Sequence, residues 1–182
     1  MANKDLILEI SKRLGLSHIG SNLTALPIIE EIFKIKKLDE KFVLSNGHAG
    51  LALAVVMYGD KAEDIIKENI HADRSWCDCS TGSLGHFGIA VGMALSDRTK
   101  NVYVMVSDGE MAEGSCWEAL RIAGEQKLYN LKVYVNANGF ASYQSVDLDL
   151  LENRLRTFFP VEFRRTINPE GFEGLKGHYA KI

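Results

Sequence analysis

The sequence predicts an α/β fold with three layers, in which a mostly parallel sheet is flanked by helices. Two runs of β-branched and apolar residues, 101–107 and 131–137, have the composition of buried parallel strands. The helical segment 114–128 lies between them, and a strand, a helix and a strand in this order form a right-handed parallel unit. The 182 residues, of which 46% are hydrophobic and 25% charged, are expected to form a single domain, 1–182, with a sizeable core.

Apolar periodicity predicts the other elements of this domain. Helices are expected at 4–14, 24–35, 48–58, 61–70, 84–97 and 148–159, and short strands at 41–45 and 161–167. In the second helix we expect Thr24 to be the N-cap, with Pro27 tolerated because it falls in the first turn. The segment 84–97 is apolar nearly all round, which predicts a buried helix in which Gly88 and Gly92 permit close packing.

The overall composition narrows the classes of function. The formal net charge of −3 gives no indication of a nucleic-acid or anionic membrane partner, and no apolar stretch is long enough to cross a bilayer. The three cysteines, Cys77, Cys79 and Cys116, argue against a disulfide scaffold. They fit a reducing compartment, and the N-terminus lacks the layout of a secretion signal, so we expect a cytoplasmic protein.

Polar side chains follow both central strands at the point where each strand ends. Asp108 comes directly after the first strand and Asn138 after the second. Ligands of parallel α/β sheets bind at the carboxyl ends of the strands, and Mg²⁺ prefers oxygen ligands and often binds phosphate as well. Gly109 lets the backbone approach a phosphate, and the helix starting near Gly114 directs its positive end there. On spacing alone, a pair of polar turn residues is a slightly better interpretation.

A longer motif surrounds these two residues. The stretch SDGEMAEGSCWEALRIAGEQKLYNLKVYVNANG, residues 107–139, resembles the thiamine diphosphate signature, which opens with Gly-Asp-Gly and closes with an Asn. Asn138 stands 30 positions after Asp108 (138 − 108), and the interior EGSCWEAL…NL is similar to the transketolase family in particular. Ser107 replaces the first Gly of the motif, a departure that leaves the candidate metal ligand in place.

The resemblance implies a site for thiamine diphosphate and a divalent metal. By this resemblance Asp108 and Asn138 bind Mg²⁺, or alternatively Ca²⁺ or Mn²⁺, with the carbonyl of Phe140 as a third ligand. Gly109 would touch the diphosphate, and Asn138 and Glu110 are assigned to the cofactor as well. Considered by itself, however, Glu110 is expected to be a solvated or interface residue.

Three upstream segments agree with the same family in order and spacing. LSHIGSNLT is similar to its Gly-His-x-Gly segment, KFVLSNGHAGLAL to its Ser-x-Gly-His-Ala, and HADRSWCDCSTGSLGHFGIAVGMAL to a stretch containing Thr-Gly-x-Leu-Gly-x-Gly. By this resemblance His18, His48 and His71 face the substrate, where imidazoles orient ketose hydroxyls and transfer protons near pH 7. His48, Gly82 and Leu84 are also implied to contact the cofactor.

Two further residues are candidates for catalysis. Glu113 is implied to belong to an acidic network between two active sites, with a first-turn acid favoured by the helix dipole as an equal alternative. His178, in GLKGHYAKI, resembles a late substrate-side His, although INPEGFEG replaces the usual Lys-Gly-Lys-Gly before it. The stretch 147–167 is short for the family, which predicts a domain that is pared down at its C-terminal end.

The chain accounts for only one of the two domain types that thiamine diphosphate needs. The resemblance implies a partner chain with the pyrimidine-binding and C-terminal transketolase domains, which supplies the activating glutamate, in a heterotetramer. The function that we expect is a split transketolase, which transfers a two-carbon ketol unit from a ketose, a sugar or sugar phosphate, to an aldose. The alternatives are another thiamine-diphosphate lyase or decarboxylase and a non-catalytic assembly subunit.

Overall fold

The computed structural model describes residues 2–68 and 70–182. The helices are α1 (Asn3–Leu14), α2 (Ile19–Ile35), α3 (Gly50–Tyr58), α4 (Ala62–Glu68), α5 (Phe87–Ser96), α6 (Gly114–Glu125), α7 (Leu148–Phe158) and α8 (Leu175–Tyr179). The strands are β1 (Lys41–Leu44), β2 (Val102–Ser107), β3 (Leu131–Ala137) and β4 (Glu162–Arg165). Short 3₁₀ turns at Gly47–Ala49, Gly59–Lys61 and Gly109–Ala112 lie before α3, α4 and α6.

The strands form one parallel sheet in the order β1-β2-β3-β4. Alternate residues of β2 pack in two separate cores, because successive side chains of a strand point to opposite faces of the sheet. Tyr103 and Met105 pack in the core that α1 to α4 cover, whereas Val104 and Val106 pack in the core that α5 to α7 cover. The sheet therefore lies between two helical layers, and the predicted three-layer α/β fold is confirmed.

The start of α2 differs from the sequence-based expectation. The helix begins directly after His18, so the expectation that Thr24 is the N-cap is wrong. Thr24 lies inside the helix, where its hydroxyl donates to the carbonyl of Ser21 (3.2 Å) and accepts from Nδ2 of Asn136 on β3 (3.1 Å). Pro27 consequently lies in the helix interior rather than in the first turn. A partner 112 positions away cannot be detected from a local pattern.

The helix α5 is shorter and less buried than its composition predicts. It covers 87–96 rather than 84–97, and Gly88, Gly92 and Leu95 lie on an exposed face. A Cβ on either glycine would meet no atom of the described residues within 4 Å, so the expectation that these glycines permit close packing is wrong. An apolar composition does not distinguish a helix that is buried on all sides from one with an open apolar face.

The remaining boundaries differ from the prediction by a few residues at the element ends. The strand expected at 161–167 is limited to 162–165, and α8 was not predicted. Residue 69, inside the helix expected at 61–70, lies outside the described residues. Within 2–68 and 70–182, no helix has the length and hydrophobicity that crossing a membrane requires.

Candidate active site

Asp108 lies at the carboxyl end of β2 and is 3% exposed. Its Oδ1 accepts a hydrogen bond from the backbone N–H of Gly109 (2.9 Å), and its Oδ2 accepts one from that of Gly139 (2.6 Å). Burial raises the pKa of Asp108 to about 6, and the backbone N–H groups oppose this shift. A buried carboxylate without an ion pair to the described lysines and arginines is a group that a bound cation would stabilise.

Asn138 follows β3, the neighbour of β2, so its side chain belongs to the same sheet edge as Asp108. Its Oδ1 accepts a hydrogen bond from the backbone N–H of Phe140 (3.0 Å). The loops after the two strands lie close together, because a Cβ on Gly109 would be only 3.1 Å from the Cα of Ala141. The strand ends therefore form a compact cradle that is lined by oxygen atoms.

The atoms at this edge fit the predicted metal and diphosphate. One carboxylate, one amide oxygen and the carbonyl of Phe140 are hard ligands, and they would leave coordination positions for phosphate oxygens. In the described part of the chain, no group of three or more His, Cys, Asp or Glu residues could hold a metal ion. A set of one carboxylate, one amide oxygen and one carbonyl oxygen is of the oxygen-rich kind that suits Mg²⁺ shared with a diphosphate.

A cavity of about 230 Å³ at the sheet edge collects most of the predicted site residues. Its lining includes His18, His48, Leu84, Asp108, Gly109, Glu110, Glu113, Asn138, Phe140 and His178. His71 lines an adjoining cavity of about 330 Å³, which His18 and His48 also line. Gly82 is not part of either lining, and its N–H donates to Nε2 of His86 (3.1 Å).

Three histidine rings converge on the first cavity. The ring centroids of His18 and His48 are 5.4 Å apart, those of His18 and His178 5.9 Å, and those of His48 and His178 6.5 Å. Burial is the main cause that lowers the pKa of each ring, to about 4 for His48, and neighbouring imidazoles lower the pKa of His18 and His48 further. A neutral imidazole donates at one nitrogen and accepts at the other, which suits the recognition of neighbouring hydroxyl groups.

Asn22 holds two of these histidines and was not identified from the sequence. Its N–H and its Nδ2 donate to the carbonyl of His18 (3.0 and 2.9 Å), and Nδ2 also donates to the carbonyl of His48 (3.3 Å). His18 itself has a φ of +61°, in the left-handed region that non-glycine residues rarely adopt. The sequence signal of this role is an amide side chain in the first turns of α2, where the residues are buried in the structure.

His178 reaches the cavity because the C-terminal segment lies across the start of α2. The N–H of His18 donates to the carbonyl of His178 (2.8 Å). The two backbones touch, since a Cβ on Gly20 would be 2.8 Å from the Cα of Gly177. The ring of Phe140 lies 6.3 Å from the ring of His178. The structure thus places His178 in the histidine cluster, although the sequence before it departs from the family pattern.

Ser83 is a second residue that the sequence analysis missed. Its carbonyl accepts a hydrogen bond from Nδ1 of His48 (2.8 Å), and its Oγ lies 3.2 Å from Nε2 of His71. A carbonyl oxygen only accepts, so the proton of neutral His48 is on Nδ1 and Nε2 remains an acceptor. Burial, followed by the charge of His86, lowers the pKa of His71. That Ser83 contacts two histidines distant in sequence could not be inferred from a serine in a glycine-rich loop.

The two acidic candidates differ in exposure. Glu110 is fully buried, so the interpretation as a solvated residue is wrong. Burial raises its pKa, and hydrogen bonds from the hydroxyl of Ser45 and from backbone N–H groups oppose this shift. Glu113 is exposed at the start of α6 and lines the cavity.

A parallel sheet with polar groups at its carboxyl edge defines an α/β protein that binds its ligand where the strands end. Comparison with known families makes this class specific, because the family model "Transketolase, thiamine diphosphate binding domain" matches residues 12–164. The chain therefore belongs to the transketolase family and contains its thiamine-diphosphate-binding domain.

The chain matches part of the length of its relatives. It is 29% identical over 187 residues to the 6-deoxy-6-sulfo-D-fructose transketolase subunit SqwG of a Clostridium species, covering 87% of this chain and 66% of that subunit. It is 31% identical over 183 residues to mouse transketolase, covering 83% of this chain and 29% of that protein. The chain thus spans less than two thirds of both relatives.

Solved structures agree on the fold. Transketolase from Campylobacter jejuni superposes with a TM-score of 0.69 at 18% identity, over 98% of this chain and 40% of that chain. A transketolase from Pichia stipitis, in complex with sedoheptulose 7-phosphate, gives a TM-score of 0.59 at 23% identity, over 86% of this chain and 30% of that chain. These likenesses support the architecture and are too distant in sequence to assign residues.

Proposed function

We propose that this chain is the Mg²⁺- and diphosphate-binding subunit of a split transketolase. The complete enzyme transfers a two-carbon ketol unit from a ketose, either a sugar or a sugar phosphate, to an aldose. It includes a partner chain with the pyrimidine-binding and C-terminal domains, and the two chains assemble as a heterotetramer. The free thiols of Cys77, Cys79 and Cys116 are compatible with the cytoplasmic location that we expect.

The single observation that carries this proposal is the shared cavity. Asp108 and Asn138 lie in its wall together with His18, His48 and His178. Oxygen ligands for a metal diphosphate and neutral imidazoles for a polyhydroxylated substrate are thereby within one small space. A 2-oxo acid would offer no row of hydroxyl groups to these rings, so the cluster favours a ketose over a decarboxylase substrate.

In this proposal each residue of the chain has a defined task. Asp108, Asn138 and the carbonyl of Phe140 would hold the metal and Gly109 would lie against the diphosphate, with Leu84 and Glu110 as further parts of the cavity wall. When bound, thiamine diphosphate supplies the electron sink for breaking the bond next to the ketose carbonyl. His18, His48, His71 and His178 orient the hydroxyl groups, and the acceptor Nε2 of His48 is placed to take a hydroxyl proton. Glu113, exposed at the cavity mouth, is available to an acidic network with the partner.

The partner requirement has a direct test. The purified chain should bind thiamine diphosphate weakly and should have no transferase activity, whereas mixing with the pyrimidine-domain chain should restore both together. Size-exclusion chromatography and an assay for two-carbon transfer, applied to each chain and to the mixture, would measure this. A mixture that contains Asp108→Ala in this chain is the matched control, since it should assemble without turnover. Full activity of this chain alone would refute the split-enzyme proposal.

A further inference from the structure

Glu110 has an unusual position for a carboxylate. It lies in the 3₁₀ turn between β2 and α6 and is 0% exposed. In the described part of the chain it forms no salt bridge, and its carboxyl group accepts hydrogen bonds from the hydroxyl of Ser45, from backbone N–H groups and from the thiol of Cys116. Burying a carboxylate is costly unless several donors surround it, which indicates that this arrangement has a purpose beyond core packing.

The hydroxyl and backbone N–H donors to Glu110 come from three separate segments. Oε1 accepts hydrogen bonds from the hydroxyl of Ser45 at the end of β1 and from the N–H of Gly85 (2.7 Å). Oε2 accepts from the N–H of Ser107 at the end of β2 (3.2 Å). The hydroxyl of Ser45 also accepts from the N–H of His86 (3.0 Å). One carboxylate therefore fastens the segment 82–86 to the ends of two neighbouring strands.

The fastened segment carries Ser83, which contacts two histidines of the candidate site. The backbone carbonyl of Ser83 accepts from both the N–H of His48 (3.3 Å) and its Nδ1 (2.8 Å). Its hydroxyl lies 3.2 Å from Nε2 of His71. The position of this one residue thus determines which nitrogen of His48 carries the proton and how the ring of His71 is held.

We infer that Glu110 is a positioning residue, which holds the segment 82–86 so that Ser83 keeps His48 in its Nδ1–H form with Nε2 free to accept. The role of the two histidines in turnover rests on the proposed function, but their tautomer does not. The effect of Glu110 on the two rings is transmitted through Gly85, from whose N–H it accepts a hydrogen bond, and through Ser83 in the same segment. The carboxylate of Glu110 thus indirectly determines that Nε2 of His48 is unprotonated and able to accept a hydrogen bond.

Nitrogen-15 NMR of histidine-labelled chain tests this inference without cofactor or partner. Long-range ¹H–¹⁵N correlation distinguishes the Nδ1–H from the Nε2–H form of each ring. In Glu110→Gln an amide N–H₂ replaces one acceptor oxygen, so one of the three donors loses its partner and the segment 82–86 shifts. We expect the Nδ1–H population of His48 to fall and the signals of His71 to move. Glu118→Gln is the matched control, because Glu118 is exposed and paired with Arg121 (2.6 Å).

A folded Glu110→Gln chain with an unchanged His48 tautomer would overturn the inference. If circular dichroism shows that Glu110→Gln does not fold, Ser45→Ala decides, since it removes the hydroxyl that bridges Glu110 and His86 while the carboxylate stays in place. A shifted His48 tautomer in Ser45→Ala supports the inference, and an unchanged one refutes it. Because the measurement uses the chain alone, a failure of the transketolase proposal would leave its outcome unaffected.

Discussion

The sheet edge and the histidine cluster meet in one cavity, but they are held in different ways. Asp108 and Asn138 follow buried strands, whose register fixes where their side chains project. His18, His48 and His178 come from loops and from the C-terminal segment, and hydrogen bonds to distant backbone groups hold them. The difference teaches that the proposed metal site depends on the core, whereas the substrate side depends on a few long-range contacts.

The largest effect is expected at the sheet edge. Asp108→Ala removes the one charged ligand that we propose for the metal, so Mg²⁺-dependent binding of thiamine diphosphate to the reconstituted complex should be abolished while the fold is retained. Isothermal calorimetry measures the affinity. Asp149→Ala is the matched control, because Asp149 is exposed and paired with Arg165 (2.7 Å). An unchanged affinity of the Asp108 variant would show that the metal is bound elsewhere.

A change in the histidine cluster should affect turnover rather than cofactor binding. A positioned acid or base contributes about 10²–10⁴-fold to the rate, so His48→Ala and His71→Ala should lose activity in this range. Their affinity for thiamine diphosphate should change far less than that of Asp108→Ala. Steady-state kinetics with a ketose donor, together with calorimetry, separates the two effects. A loss of less than a few-fold at both positions would assign these histidines to structure.

A smaller loss of turnover is expected when the backbone contact between Gly20 and Gly177, next to His178, is disturbed. In Gly20→Ala the new Cβ would lie 2.8 Å from the Cα of Gly177 and 3.0 Å from the carbonyl oxygen of Phe172, so the C-terminal segment must move. We expect the variant to lose turnover like His178→Ala, and the double variant to lose little more than either alone.

Gly88→Ala is the control for this glycine, because its Cβ would meet no described atom within 4 Å. In the free chain it should leave the histidine signals unchanged and stabilise α5 by about 0.5–1 kcal/mol, as expected for alanine in a helix. Thermal denaturation and histidine NMR measure both variants. Independent, additive effects of Gly20→Ala and His178→Ala would contradict the proposed link between the two backbones.

The smallest effect concerns pH. His48 has a pKa of about 4 in the folded chain against an ordinary value of 6.5, chiefly because of burial. The unfolded chain therefore binds the proton first, and stability that is present above pH 6.5 is lost as the pH falls towards 4. His48→Asn should lose less stability than the wild type between about pH 7 and about pH 5 in denaturant unfolding. Equal losses in both proteins would show that the His48 ring titrates normally. Both proteins should still lose some stability as the pH falls, because the pKa values of His18, His71 and His178 are lowered as well.

The comparison also explains what the sequence could predict. A β-branched, apolar composition located β2 and β3, and the residues after them followed directly, so Asp108 and Asn138 could be assigned to one sheet edge without the structure. The same local reasoning failed for Thr24, because its hydroxyl accepts a hydrogen bond from Asn136 of β3 instead of capping the start of α2. Short-range patterns predict elements well and contacts between elements poorly.

The histidine cluster was predictable only through resemblance to a family. No spacing rule brings His18 and His178 together, because their link is a backbone hydrogen bond between the two ends of the domain. Glycines were equally ambiguous, since Gly20 makes a close backbone contact whereas Gly88 lies on an open face. The contact of Ser83 with His48 depends on its backbone carbonyl, a group that every residue has, so no residue type could have indicated that contact.

The parallel register of β1 with β2 has a consequence for how this chain folds during synthesis. Lys41 pairs with Val102, so β1 leaves the ribosome long before its partner strand exists. Until then the apolar faces of α1, α2 and α3 have no sheet to cover them. Parallel pairing over such separations is intrinsically slow, and the nascent chain therefore passes through an interval in which it is prone to aggregation and accessible to chaperones.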